Sequence, residues 1–225
     1  MSPQRTGRRG SRRRQEQEPI VLEGVETLTY NLTPTEVFTE QDIQTIHDAS
    51  MRLLSETGML LIDHVPALEN LKANGAKVDG EMVRIDEDTL MNFVNLAPKT
   101  FTQLARDERN HVPVGGNRII FAPVYGPAFV HDFDRGRRPS TLEDFHNFAK
   151  LVYMTPELHH AGGVLVEPND VGVDERHLDM LMAHMTLSNK AFMGNVIHPD
   201  NARDTVTMSE IVFGKEAIRE NPASL

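Results

Sequence analysis

Val164-Leu165-Val166 is a continuously apolar run, and Gly162 and Gly163 precede it. Read as a strand over 162–166, it has no polar alternation, as a strand covered on both faces should not. Working outward, the same pattern repeats. Arg118–Val124 reads as an apolar strand, and Ala128–Asp132 as another across Gly126-Pro127. Arg135-Gly136 makes a turn, and Thr141 with Asp144 caps a helix to about Tyr153. After 162–166, Asp174 opens a helix to about Leu187. Ala191–Val196 is a third strand, and a helix from Pro199 runs to Phe213. Strands alternating with helices predict a parallel sheet.

Three or four such units are about half of an eight-unit barrel, whose usual length is about 250 residues. An open doubly wound sheet competes. No GxGxxG lies between a strand and a helix, and Gly115-Gly116 precedes its strand, so nucleotide-fold signals are absent. Pro222-Ala223-Ser224-Leu225 carries no stopping chemistry, and the next strand is expected about there.

Upstream, residues 36–100 predict a small α+β module. Thr39 and Asp42 form a capping box for a helix whose Ile43, Ile46, Leu53 and Leu54 share a face and which Gly58 stops. Met59–Ile62 reads as a short strand, and Pro66 and Gly75 bound a second helix. Asp79-Gly80 centres a hairpin over Lys77–Ile85, and Asp86 caps a third helix to about Leu96. Residues 20–38 read as an extended strap. Residues 1–19 have almost nothing to bury and read as a disordered arm. The expected organisation is therefore an arm over 1–19, strap and cap module over 20–110, and barrel units over 111–225.

The chain has 225 residues, 39% of them hydrophobic, enough for a real core. It has no cysteine, which excludes disulfides and thiolate metal sites and agrees with a cytoplasmic location. No apolar run approaches the ~18 residues that span a membrane. Net charge is −10, and the first 14 residues hold six arginines and no acid. The other 211 residues carry 17 basic and 33 acidic groups, a net of −16. That balance argues against nucleic-acid binding by the folded part and leaves only the arm for a phosphate backbone.

In parallel α/β folds, sites gather where strands end. The first strand ends on Tyr125, and its hairpin neighbour offers His131, Asp132 and Asp134. The second ends on Glu167, Asn169 and Asp170, the third on Asn195 and His198. Each has a bland alternative: a satisfied core ring for Tyr125, local pairing for His131 and Asp132, helix capping for Glu167, turn and helix-start roles for Asn195 and His198. His159 and His160 are adjacent and point to opposite faces, so they cannot chelate one metal together. His177 and His184 lie two helical turns apart, and no metal site is expected. No HExxH, phosphate loop or nucleophile elbow occurs.

Four stretches together resemble the N-terminal part of the trimethylamine methyltransferase family. They are the Gly/Arg-rich Thr6–Arg14, the helix end Leu53-Leu54-Ser55-Glu56-Thr57-Gly58-Met59, and Gly126–Asp132 followed by Arg137-Arg138-Pro139-Ser140-Thr141. The last is Lys190-Ala191-Phe192-Met193-Gly194 with the later Ile211-Val212-Phe213-Gly214. The resemblance implies a TIM barrel, here a partial one, in an amine:corrinoid methyltransferase. Such an enzyme moves a methyl group from a tertiary or quaternary amine, such as trimethylamine or glycine betaine, to the Co(I) of a separate corrinoid protein. No corrinoid would be bound permanently. Members are longer, which implies a chain that stops early and is inactive alone, and they form homo-oligomers. Some carry pyrrolysine in the second half of the barrel, beyond the part matched here. A quaternary amine leaves as a neutral tertiary amine, so the site needs aromatic faces and acids more than a strong acid/base pair. Trp is absent and Tyr occurs three times. The resemblance thus makes Tyr125, Phe129, Glu167, Asn195 and His198 the substrate-binding candidates, with no catalytic residue assigned. The competing reading is a non-catalytic half-barrel whose open sheet edge needs a partner.

Overall fold

The computed structural model describes residues 24–221. The expected disordered arm (1–19) and the unterminated end (222–225) lie outside them. Strand β1 (Leu28–Thr29) belongs to the strap, and α1 (Glu40–Arg52) opens the cap module. Thr39 and Asp42 bond reciprocally as a capping box, and a π-helical turn, Leu53–Thr57, ends at Gly58. β2 (Met59–Leu60), α2 (Val65–Ala73), β3 (Lys77–Asp79) and β4 (Met82–Arg84) follow. The three strands form one antiparallel sheet, ordered β2-β4-β3. Asp86 then caps α3 (Glu87–Val94) through Thr89 N–H.

Gly58 is the most closely confined glycine of the module. Its φ is +78°, and a Cβ there would sit 2.4 Å from the Val83 carbonyl oxygen. Gly58→Ala is expected to cost at least about 2 kcal/mol, through backbone strain and a displaced β4. A fall in urea midpoint at unchanged m-value would show it; an unchanged midpoint would refute it. The face expected to hold α1 down is largely uncovered. Ile43, Ile46 and Leu53 are all more than half exposed.

The second part begins with β5 (Thr100–Gln103) and, after a 3₁₀ turn at Glu108–Asn110, β6 (Val112–Gly115). These pair antiparallel across the expected boundary at 110. β7 (Arg118–Ile119) pairs antiparallel with β1, so the strap lies on the second part. β8 (Phe129–Asp132) and β9 (Gly136–Pro139) form the expected hairpin. Helices α4 (Leu142–Tyr153), α5 (Arg176–Leu187), α6 (Pro199–Phe213) and α7 (Lys215–Glu220) follow within the described residues. Thr141 and Asp144 cap α4 as the sequence predicts. The Asp174 cap does not form; α5 starts after Glu175 with no side-chain cap.

The strands expected over 118–124, 162–166 and 191–196 are corrected in form. Only Arg118–Ile119 is regular strand, and the one parallel pairing among the described residues is an isolated bridge, His160↔Ala191. The reason is local. Gly162 has φ +85°, which breaks the extended run, and Pro123 lies where a Gly162 Cβ would be, at 2.7 Å. The parallel alignment survives in single hydrogen bonds. His159 N–H donates to Phe121 O at 2.9 Å, and Gly126 N–H to Val164 O at 2.7 Å. Ala161 N–H donates to Ala191 O at 2.7 Å, and Met193 N–H to Gly162 O at 2.9 Å. The segments near 120–127, 159–167 and 190–194 thus lie side by side and run the same way.

The main core forms where α4 and α5 cover these segments. Phe145, Ala149, Val152, Met180 and Ala183 pack on Val130 and Val164–Val166. A second cluster joins Leu181, Met185 and Phe192 to α6.

Candidate active site at the loop ends

The shared direction of the three segments brings their C-terminal ends together. Tyr125 is half-exposed and lies over Gly163. A Cβ on Gly163 would be 3.0 Å from Tyr125 Cε1 and 3.2 Å from the Met193 carbonyl oxygen. The glycine is what lets ring and carbonyl approach. Burial pushes the Tyr125 phenol above its ordinary pKa, so it stays neutral. Behind Gly163, buried His184 donates Nε2–H to its carbonyl oxygen at 2.6 Å. The imidazole stacks on Phe192 and meets Phe145 edge-on. Burial lowers its pKa, so it remains a neutral donor.

Glu167 sits on the neighbouring loop, its N–H donating to Pro127 O at 2.9 Å. Its carboxylate accepts from Arg176 at 3.1 Å. Ser140 Oγ donates to the Glu167 carbonyl at 2.5 Å, and Asn169 Nδ2 donates to Ala128 O and Glu167 O at 2.9 Å. This loop is therefore held to the β8–β9 hairpin by one half-buried contact, from Ser140, and one exposed contact, from Asn169 to Ala128 O. Asp170 accepts from Leu142 N–H at 2.8 Å, adding a contact at the start of α4.

The remaining candidates have other company. Phe129 carries the Arg137 guanidinium 3.7 Å from its ring centroid, so one aromatic face already holds a cation. Asp132 accepts from Arg135 and Arg138, and its pKa is lowered, first by the Arg135 N–H. Asn195 is half-buried beside Gly194, where a Cβ would strike Thr205 of α6. His198 is the N-cap of α6, its Nδ1 accepting from Asp200 N–H at 3.2 Å, the helix-start role weighed above. His177 meets Asp204 at 2.8 Å and His184 meets Gly163, so the two serve different partners. Among the described residues no three His, Asp or Glu side chains gather as metal ligands, and no helix is long and apolar enough to cross a membrane.

Of the five candidates, Tyr125 and Glu167 are thus set on adjoining loops, with Tyr125 the ring that Gly163 leaves room for. Gly163 and Met193 escaped sequence reasoning as site residues, and His184 was weighed there only as a metal ligand. The Gly162-Gly163 pair was the available signal, since glycine inside a strand marks a close approach.

The sequence profile of the trimethylamine methyltransferase family (MTTB) matches residues 5–225. This chain belongs to the trimethylamine methyltransferase family. A glycine betaine methyltransferase of Desulfitobacterium hafniense (strain Y51) is 38% identical over 187 residues, covering 83% of this chain and 39% of that protein. A proline betaine:corrinoid methyltransferase of Eubacterium limosum is 29% identical over 167 residues, covering 72% and 34%. A trimethylamine methyltransferase, MttB, of D. hafniense is 27% identical over 197 residues, covering 82% and 38%. The chain therefore spans less than two-fifths of the length of each of these family members.

Proposed function

We propose that this chain supplies the first strand–helix units of a TIM-barrel methyltransferase that moves a methyl group from a methylated amine, of the glycine betaine class, to a corrinoid protein. The observation that carries this reading is the family match over 5–225, together with 38% identity to a glycine betaine methyltransferase. The barrel reading is supported by three segments that run in one direction, followed in turn by α4, α5 and α6. Cytoplasmic location and a homo-oligomeric state belong to the same reading.

Tyr125 would receive the substrate's ammonium. Its ring is half-exposed and uncharged, and a quaternary cation on such a face gains about 0.5–2 kcal/mol. The Met193 carbonyl beside it adds a second negative pole without a titratable group. Glu167 would orient the cation from its pinned loop while sharing its charge with Arg176. Phe129, Asn195 and His198 complete the mouth in this reading. The residues fit an acceptor carried by another protein: the ring is open on one side, and no basic side chain is needed there because the leaving amine departs neutral. The partner's corrinoid supplies the Co(I) nucleophile that takes the methyl group.

The test is methyl transfer from glycine betaine by the full gene product with its corrinoid protein. Tyr125→Ala is expected to raise KM about tenfold, while Tyr125→Phe stays within about threefold of the parent. Transfer unchanged in Tyr125→Ala would remove Tyr125 from the site. No transfer from any methylated amine by the unaltered protein would overturn the function itself.

A further inference from the structure

The stretch Gly162-Gly163-Val164 is the point to which all three segments are tied. Gly162 O accepts Met193 N–H from the third segment at 2.9 Å. Val164 O accepts Gly126 N–H, from the residue after Tyr125, at 2.7 Å. Gly163 lies between them, under the edge of the Tyr125 ring. A shift of this stretch therefore moves the ring and the Met193 carbonyl together.

His184 reaches the same stretch from α5, and its bond there is not one that burial requires. Gly163 O already accepts Leu165 N–H at 3.1 Å, so the carbonyl has a partner without the imidazole. A carbonyl can only accept, so the ring proton is on Nε2 and Nδ1 is left with a bare lone pair. That Nδ1 is buried and has no partner among the described residues. Buried polar atoms are as a rule paired, and a phenylalanine beside Phe145 and Phe192 would strand none. The histidine thus serves the core less well than an apolar ring. What it adds is direction. A 2.6 Å bond from a residue 1% exposed and held by two rings fixes the Gly163 carbonyl in one orientation.

We propose that His184 is a positioning residue for the amine site: it touches no substrate, and through the Gly163 carbonyl it holds the stretch on which Tyr125 and the Met193 carbonyl are set. This rests on Tyr125 as the residue that receives the ammonium. Without the donor the stretch is free to turn, and the ring leaves the pose that meets the cation. Binding then weakens, while the transfer step, which uses no atom of His184, does not. A binding constellation needs support locked in this way behind it.

The test labels the full gene product with fluorotyrosine; the Tyr125 fluorine resonance is the one missing from Tyr125→Phe. Methyl transfer from glycine betaine to the corrinoid protein is measured on the same variants. His184→Phe keeps a ring beside Phe145 and Phe192 and removes the donor. His184→Met, unbranched and able to fill an irregular gap, removes it too should the first variant not fold. Either is expected to move the Tyr125 resonance and to raise KM about tenfold with kcat within about threefold, the pattern of lost binding rather than lost chemistry. His184→Gln returns an N–H donor and is expected to bring KM back to within about threefold and the resonance to its parent place. A merely structural histidine would lower the urea midpoint and leave KM and the resonance alone. That result overturns the proposal, as does a KM in His184→Gln raised as far as in His184→Phe. The reading beneath it fails separately. A resonance that moves while KM is unchanged in both His184→Phe and Tyr125→Ala upholds the positioning of the ring and overturns the amine site.

Discussion

Phe145→Ala is expected to lower the unfolding free energy by about 3–5 kcal/mol. Phe145 is fully buried on α4 and sits where that helix, α5 and the 164–166 segment meet. Its ring also abuts His184 edge-on at 5.3 Å, so truncation opens a cavity beside the imidazole that holds Gly163. Neither α4 nor α5 has another Phe or Tyr side chain buried in this core to move into the gap, and His184 is tied to the Gly163 carbonyl. A loss of that size consumes a large part of the 5–15 kcal/mol typical of a folded domain. Urea unfolding measures it, with Phe145→Leu as a milder companion expected to cost under about 2 kcal/mol. A Phe145→Ala loss below about 1 kcal/mol would mean that this cluster is not the main core.

Acidification from pH 7 to pH 4 is expected to cost a further sum of similar size. Buried His160 accepts Gly162 N–H at Nδ1, at 2.8 Å, and meets Gln103 Oε1 through Nε2 at 3.0 Å. Gln103 in turn donates to Phe192 O at 3.0 Å. A second proton on His160 would have to enter at Nδ1, against an N–H already pointing there. Burial, with the nearby His184 adding to it, therefore pushes the His160 pKa down to about 4. The unfolded chain binds that proton near 6.5, so it holds more protons than the native state between the two values. Stability is full above about pH 6.5 and is lost as pH falls toward 4, by roughly 3 kcal/mol from this residue. His184, lowered by burial, acts in the same direction. Below that window the carboxylates follow. Arg138 donates to both oxygens of Asp144 and holds its pKa well below the usual range, so that contact is lost only in stronger acid. Urea midpoints at pH 7, 5.5 and 4.5 show the slope, and His160→Gln is expected to flatten it. An equally steep slope in that variant would place the acid sensitivity elsewhere.

Features closed within a few residues were legible in the linear chain. The Thr39–Asp42 and Thr141–Asp144 boxes, the Asp86 cap and the Asp79-Gly80 turn each need only a three- or four-residue span, and all form. The family was legible too, because its motifs are runs of adjacent residues. The regularity of the strands was not. Apolar composition marks a segment as buried, but whether it keeps strand geometry depends on neighbours far along the chain, such as Pro123 against Gly162. Tyr125 could be picked out as a strand-end ring, and Glu167 as a strand-end acid. That Arg176 would take the Glu167 carboxylate, and Arg137 the face of Phe129, depended on how loop and hairpin were placed.

The apolar run at 164–166 keeps its meaning as core, and Val164-Leu165-Val166 are all buried. By itself the sequence determined helices α1 to α6 in outline, the Thr39, Asp86 and Thr141 caps, the β3–β4 and β8–β9 hairpins and the family, since each rests on contacts between near neighbours; the Asp174 cap failed. Only the tertiary structure decided that Tyr125, Gly163 and Met193 meet. Those residues lie some 30–70 positions apart, and nothing short of the packed helices α4 and α5 fixes the register that joins them.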